Sequence, residues 1–522
     1  MSDRSSSSMP TPGPRDQTAP PPAVADLLRR AASPGFDAWQ RRIVRLGGCT
    51  NPIHLHGTAH TVDTASGEIL HTFATEEGAL LVPCGNRRAA VCPTCSSLYK
   101  GDTYQLIRAG LVGGKQTPAT VTGYPRVFAT FTAPGFGAVH TRRDQKLCRP
   151  RRGQRLCRHG RALGCRERHN PDDPRIGEPL CPDCYDYAGA VLWQAHAGQL
   201  WHRLALQVRR ELARIGGMTR TRLARVLRLS YAKVAEYQRR GLIHFHAVLR
   251  LDGADGPATP PPAWATVQTL ETAIREAASK VHIADHGRDF RFGKQLDIRP
   301  IDAFGPGQAI TSTAVAAYIA KYATKGAEAA GAIHHRIGSM AQLELLPMRD
   351  HTRRMIRTCW ELGGQATYQD LGLRRWAHML GFGGHFSTKS RRYSTTLGAL
   401  RQARTDHRAE QHRQALGIND RPTAVIGHWR YAGHGYPRRR PHRGQHRTGG
   451  GAMAERLLTP DATQDDEWLT VPEVMARLRL GRSTVYDLIR SKALASAHIG
   501  RCRRVPLSAL RAFMARQLEE AA

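Results

Sequence analysis

Glu236, His244 and His246 have the types and spacing to hold a hard divalent cation; they lie in the stretch EYQRRGLIHFH, residues 236–246. Side chains of an extended strand alternate between faces. His244 and His246 therefore share one face about 7 Å apart, and Phe245 points the other way, into a core. Arg239-Arg240-Gly241 is a turn signal between a strand-like run and the histidines. A hairpin there returns Glu236 beside the two imidazoles. Two nitrogens and one carboxylate leave open positions for water and a phosphate oxygen, which suits Mg²⁺ or Mn²⁺. A second stretch, YIAKYATK from Tyr318 to Lys325, is alanine-rich and follows Thr311-Ser312-Thr313, a capping pattern, so it reads as a helix. Tyr318 and Tyr322 share a face of that helix, as do Lys321 and Lys325. Two phenols can attack a phosphate and two ammonium groups can steady it. Paired tyrosines alone are ordinary packing, and His-apolar-His alone is common; the conjunction carries the reading. His54-Leu55-His56 repeats the pair but lacks a strand–turn–strand setting, and it reads as a loop.

The cysteines suggest a second kind of metal chemistry. Cys92-Pro93-Thr94-Cys95 is a CxxC knuckle whose tight turn aims two thiolates at one tetrahedral ion; Cys84 lies close by, and Cys49 returns from farther off. No βαβ pattern surrounds this knuckle, which argues against a redox role. A second CxxC, Cys181-Pro182-Asp183-Cys184, closes a basic, apolar-poor insertion at about residues 133–187. Cys157 and Cys165 are its expected partners, with His159 or His169 as substitutes. Cys148 also lies in this insertion. One or two structural Zn²⁺ ions are expected, stabilising what a small core cannot.

The elements that must position these groups follow from periodicity. Helices are expected over 23–47, 97–113, 188–217 and 263–283, a strand with clear alternation over 125–132, the metal hairpin over 225–251, and a strand pair over 290–301. The threonines of the 125–132 strand should sit beside the metal strand. The Gly/Ser/Thr/Arg stretch near 381–396 reads as a loop. The order strand, helix, hairpin, helix, strand, helix fits an α+β fold on an antiparallel sheet. The expected organisation is a disordered arm over 1–22, an N-terminal region with the first, four-cysteine zinc site over 23–120, a catalytic domain over 121–415, a basic flexible linker over 416–466, and a C-terminal domain over 467–522.

Lys plus Arg total 77 against 43 Asp plus Glu in 522 residues, a formal charge of +34 that is spread along the chain and favours a polyanion such as nucleic acid. No apolar run is long enough to span a membrane, and the first 22 residues lack the apolar segment of a signal peptide. A cytoplasmic protein with reduced or metal-bound cysteines is the expectation. Near the C-terminus, Thr470 and Ser483 are expected to cap two short amphipathic helices around Gly481, followed by a hairpin at 497–505: a helix-turn-helix.

With these motifs assembled, the chain resembles the rolling-circle replication initiators of the HUH endonuclease superfamily over roughly residues 45–400. The strand FATFT, the acidic residue eight positions before HFH, and the doubled Tyr-x-x-Lys occur in that family's order. The flanks GCTNP, PCGNRRAAVCPTC and LCPDCYDY look like those of RepSA-type initiators of actinobacterial plasmids and integrative elements. The resemblance implies an RRM-like sheet with zinc-bearing insertions. It also implies nicking of single-stranded origin DNA by a tyrosine, through a 5′-phosphotyrosine, with Glu236, His244 and His246 as Mg²⁺ or Mn²⁺ ligands and Lys321 or Lys325 beside the phenols. Host polymerase would extend the freed 3′ end, and a separate helicase would unwind, since the sequence carries no Walker motif. The C-terminal segment resembles excisionase/MerR-like winged helix-turn-helix domains. That implies that Arg482, Ser483, Thr484 and Tyr486 face duplex DNA and that Arg501, Arg503 and Arg504 of the hairpin grip phosphate. The alternatives are a two-tyrosine transposase of the same superfamily and a non-enzymatic zinc-containing DNA-binding regulator.

Overall fold

A computed structural model describes residues 36–75, 79–143, 146–151, 153, 155–301, 311–417, 422–436, 468–478, 482–491, 493–499, 502–510 and 512–513. The expected arm over 1–22 and most of the expected linker lie outside them. In chain order the elements are α1 (Phe36–Arg45), β1 (Ile53–Asp63), β2 (Ile69–Ala74), β3 (Leu80–Val82), α2 (Pro93–Val112), β4 (Arg126–Thr132), α3 (Tyr187–Ile215), α4 (Arg220–Leu223), β5 (Arg228–Tyr237) and β6 (Ile243–Asp252). There follow α5 (Val267–Lys280), β7 (Ile283–Asp285), β8 (Arg288–Phe290), β9 (Leu296–Pro300), α6 (Ser312–Ala323), α7 (Met340–Glu344), α8 (Asp350–Leu362), β10 (Ser387–Lys389), α9 (Leu397–Leu416) and β11 (Thr423–His434). No described helix is long and apolar enough to cross a membrane.

The fold is α+β. Its central sheet runs β10-β5-β6-β4-β9, every neighbouring pair antiparallel. Period-two alternation divides its side chains between two cores. Val127, Ala129, Phe131, Ala235, Phe245 and Ala247 face one core, shared with α3 and α5. Phe128, Ala232, Val234 and Val248 face the other, shared with α2 and α6. Each covering helix starts at a defined cap: Asp186 accepts from Gly189 N at 2.8 Å before α3, Thr311 from Ala314 N at 3.2 Å before α6, and proline opens α2.

Five expectations change. Residues 290–301 are not one strand pair. β7 and β8 form their own hairpin, turning at His286 and Gly287 with φ of 45° and 72°, the left-handed pair that a two-residue turn requires; β9 pairs instead with β4. The stretch near 381–396 contributes β10, the edge strand against β5, and buries Tyr393 completely. Residues 423–434 form β11, although the linker was expected from 416. β11 pairs along β1 in a second sheet, so His54-Leu55-His56 lies on a strand and not in a loop. The expected boundaries at 120 and 415 fall inside one compact unit, Met1–Arg438, because α2 packs on α6 across the first and β11 pairs with β1 across the second.

Arg439–Ala522 is the second unit. It holds β12 (Trp468–Thr470), α10 (Val471–Leu478), α11 (Arg482–Arg490), β13 (Ala497–Ile499) and β14 (Cys502–Pro506), with sheet order β12-β14-β13. Leu469, Val474, Val485, Ile489, Leu494 and Val505 make its core. Thr470 Oγ1 accepts from Glu473 N at 3.3 Å, and Glu473 Oε2 accepts from Thr470 N at 2.5 Å, a reciprocal capping box. α11 begins at Arg482, which places Ser483 in its first turn and not at its cap.

Candidate functional site

The β5–β6 register sets Glu236 directly opposite His244. Glu236 Oε2 lies 2.9 Å from His244 Nε2 and 2.8 Å from His246 Nε2, and the two Nε2 atoms are 3.0 Å apart. Phe245, fully buried, projects through the opposite face. β4 steadies the arrangement from the other side. Thr130 is opposite His246 in register, and its Oγ1 lies 3.0 Å from His246 Nδ1. With a cation bound, an Nδ1–H donated to that hydroxyl would leave the Nε2 lone pair free to ligate it; without one, Nε2 shares a proton with Glu236. Phe128 stacks on the His246 ring, 5.7 Å between centroids at 3°. The expected threonine beside the metal strand is therefore Thr130.

This geometry fits the expected cation. Two donors at neighbouring octahedral positions, each about 2.1 Å from a central ion, stand about 3.0 Å apart. The three observed separations, 2.8 to 3.0 Å, match that edge. Burial pushes the Glu236 carboxyl up, but the hydrogen bonds from His244 and His246 outweigh it and hold it down at about 2, so it is an anion at neutral pH. Burial lowers His246, which favours the neutral imidazole that can ligate.

α6 lies across this face. Tyr318 OH is 3.2 Å from His246 Nε2 and 3.5 Å from Glu236 Oε2. The Tyr322 ring packs on Tyr318, 4.7 Å between centroids, and lies 6.0 Å from the His246 ring. Lys321 Nζ and Lys325 Nζ stand 5.5 and 5.0 Å from the Tyr322 centroid. The lysines are not shared one to each tyrosine; both flank Tyr322. Burial, and then the Glu236 charge, raise both phenols above their ordinary value. One residue that the spacing gave no reason to single out also belongs here. Arg87 Nη1 donates to Ala323 O at 3.1 Å and Lys325 O at 2.9 Å, capping the end of the tyrosine helix, while its guanidinium stacks 4.3 Å from the Phe386 ring.

Among the described residues, the cysteines and histidines of the same unit make three compact groups. Cys49, Cys84, Cys92 and Cys95 converge as expected, with Cys49 and Cys92 Sγ 3.8 Å apart. A tetrahedral ion with bonds of about 2.3 Å separates its thiolates by about 3.8 Å. α2 begins at Pro93, so this knuckle sits at the foot of a helix that packs on α6. In the insertion, Cys157, Cys181 and Cys184 converge, but their fourth member is His159, with Nδ1 3.3 Å from Cys184 Sγ and 3.6 Å from Cys181 Sγ. Cys165 lies elsewhere, with His140, Cys148 and His169. These Cys/His groups could hold zinc.

In the second unit, Arg482, Ser483, Thr484 and Tyr486 lie on α11, and Arg503 and Arg504 on β14; Arg501 lies outside the described residues.

Comparison with known proteins agrees with this division. A family described as replication initiator protein, pSAM2, matches residues 35–446, and one described as a helix-turn-helix domain matches residues 468–518. A replication initiator protein of Streptomyces ambofaciens is 50% identical over 437 residues, 81% of this chain and 92% of that protein. An excisionase of the same organism is 61% identical over 59 residues, 11% of this chain and 95% of that protein. No solved structure matches the chain.

Proposed function

Because the chain belongs to the family of replication initiator proteins of the pSAM2 type, we propose that it starts rolling-circle replication by nicking and rejoining one DNA strand at an origin through a tyrosine ester. The observation that carries this is the approach of the Tyr318 hydroxyl to within 3.2 to 3.5 Å of the Glu236, His244 and His246 donor set. In this reading the sheet β10-β5-β6-β4-β9 is an RRM-like HUH catalytic domain, and residues 467–522 are a winged helix-turn-helix. Glu236, His244 and His246 hold Mg²⁺ or Mn²⁺, which supplies positive charge to the scissile phosphate when bound. A tyrosine oxygen attacks phosphorus, the P–O3′ bond breaks, and the phenol's proton ends on the leaving oxygen. The products are a free 3′-OH and a 5′-phosphotyrosine. Lys321 and Lys325 steady negative charge at Tyr322. The ester conserves the phosphodiester energy, so the second tyrosine can resolve the regenerated junction without ATP. Host polymerase extends the 3′ end, and a host helicase unwinds.

The test is direct. Labelled single-stranded origin DNA incubated with the full chain and Mn²⁺ should yield a protein–DNA adduct that survives denaturation. Retarded DNA without any such adduct, at every cation tried, overturns the nicking reading and leaves a DNA-binding regulator.

Two further outcomes are expected. Arg87→Ala frees the end of the tyrosine helix, and misplacing reacting groups by about 1 Å costs up to ~10²-fold in rate. Adduct formation should slow about 10- to 100-fold with the cation requirement unchanged; an unaltered rate would remove Arg87 from this role. Arg504→Ala in the β14 hairpin should weaken duplex binding similarly across sequences. The slope of log K against log salt should fall by about 0.9 in magnitude, one phosphate contact. A sequence-selective loss would instead mean a base contact.

A further inference from the structure

We propose that the insertion carries a zinc site of its own in addition to the Cys157 group: a centre of two cysteines and two histidines, made of His140, Cys148, Cys165 and His169, which braces the turn of the metal hairpin. The four donor atoms lie within 4.8 Å of one another. His140 Nδ1 and His169 Nε2 are 3.1 Å apart, Cys165 Sγ is 3.6 Å from His169 Nε2, and Cys148 Sγ is 4.0 Å from His140 Nδ1. Tetrahedral zinc with bonds of about 2.05 Å to nitrogen and 2.3 Å to sulfur requires edges of about 3.3 Å and 3.6 Å. Cys148, Cys165 and His169 are each less than a tenth exposed.

The surroundings are those of a built site. His169 Nδ1 donates to Asp173 Oδ2 at 2.7 Å, the carboxylate–histidine pairing that fixes the tautomer of a ligating imidazole and turns Nε2 towards the ion. Thr141 N donates to Cys148 Sγ at 3.1 Å, which orients the sulfur. Paired backbone bonds between Arg149 and Cys165, at 2.8 and 2.9 Å, bring the two cysteine segments side by side.

The same residues lead to the catalytic hairpin. His140 N donates to Glu178 O and Gly177 N donates to His140 O, at 2.8 and 2.9 Å. Gly177, at φ +91°, lies so close to the turn between β5 and β6 that a Cβ there would stand 2.5 Å from the Arg239 carbonyl. Arg349 donates to Glu178 at 2.6 Å, to Ile176 O at 2.9 Å and to Arg239 O at 3.4 Å, tying segment and turn together. A centre that fixes residues 140–178 thus fixes the turn that sets Glu236 against His244. Its effect on nicking rests on the function proposed above, whereas its zinc count does not.

The experiment compares zinc per chain by mass spectrometry in the full-length protein, Cys148→Ser, Cys157→Ser and the double variant. Each single change should release one ion and the double change two. The proposal fails if Cys148→Ser keeps the starting count, or if the double variant loses no more than Cys157→Ser. Should Cys148→Ser unfold, Asp173→Asn keeps all four ligands. It should bind one zinc ion about 10- to 100-fold more weakly under chelator competition, and an unchanged release profile overturns the site. Slower nicking by Asp173→Asn would support the brace; full activity with weakened zinc would refute the brace and leave the site.

Discussion

Changing both Tyr318 and Tyr322 to Phe should abolish the covalent DNA adduct, a loss of roughly four orders of magnitude or more, as for other removed nucleophiles. Tyr318→Phe alone should cost more than Tyr322→Phe. The asymmetry comes from placement. The Tyr318 hydroxyl lies 3.2 Å from His246 Nε2, where the phosphate must be held for in-line attack. Tyr322 stacks behind it, flanked by Lys321 and Lys325. Phe keeps the ring, and with it the edge contact of residue 318 on Phe128 at 5.7 Å, so the loss reports the hydroxyl and not the packing. Burial and the Glu236 charge raise both phenols, so the phenolate fraction, and with it the initial rate of adduct formation, should climb as pH rises through neutrality. Denaturing gels of the three variants decide it. Equal adduct from Tyr318→Phe and the parent would assign first attack to Tyr322; adduct from the double variant would remove both tyrosines from the chemistry.

The convergence of Glu236, His244 and His246 was legible because its constraints are local. An eight-residue offset around one turn leaves a single register that pairs Glu236 with His244, and alternation then fixes His246 and Phe245. The tyrosine face follows equally from helical spacing. What the sequence hid is non-local. Cys165 follows Cys157 closely, which suggested one shared ion. The chain between folds back instead: Leu156 bridges Ala162 at the tip and Arg149 bridges Cys165 at the base. Cys157 therefore sits at one end of this finger and Cys165 beside Cys148 at the other. β11 read as linker because its histidines, glycines and arginine show no buried stripe; both of its faces are largely exposed, and only its partner β1, more than 350 residues earlier, makes it a strand. Arg87 was invisible for the same reason, since its carbonyl partners belong to a helix far along the chain.

Glu236→Gln should cost almost as much as the tyrosines, and the reason is charge. Glutamine keeps the size of the side chain and an oxygen that can face His244 and His246. It removes the one anion of a donor set whose other members are neutral nitrogens, and Mg²⁺ and Mn²⁺ select for anionic oxygen. A cation stabilising developing phosphate charge contributes several kcal/mol, so nicking should slow by about 10³-fold. Raised Mn²⁺ should recover part of it, as expected when affinity and not the fold is lost. Zinc content should be unchanged. The pH dependence has a defined sign. Separations of 2.8 to 3.0 Å among Glu236 Oε2 and the two Nε2 atoms require a proton between donors when no ion is bound. A cation must displace that proton, so its affinity rises with pH and weakens as pH falls; burial lowers His246, which puts its share of the loss below the ordinary imidazole range. The hydrogen bonds to Glu236 outweigh its burial and keep it ionised down to about 2, so the weakening belongs to His246 and not the carboxylate. Titrating Mn²⁺ into the parent at several pH values, with the proton release measured, checks this. A cation affinity independent of pH, or full activity in Glu236→Gln, would mean that these three residues do not hold the ion.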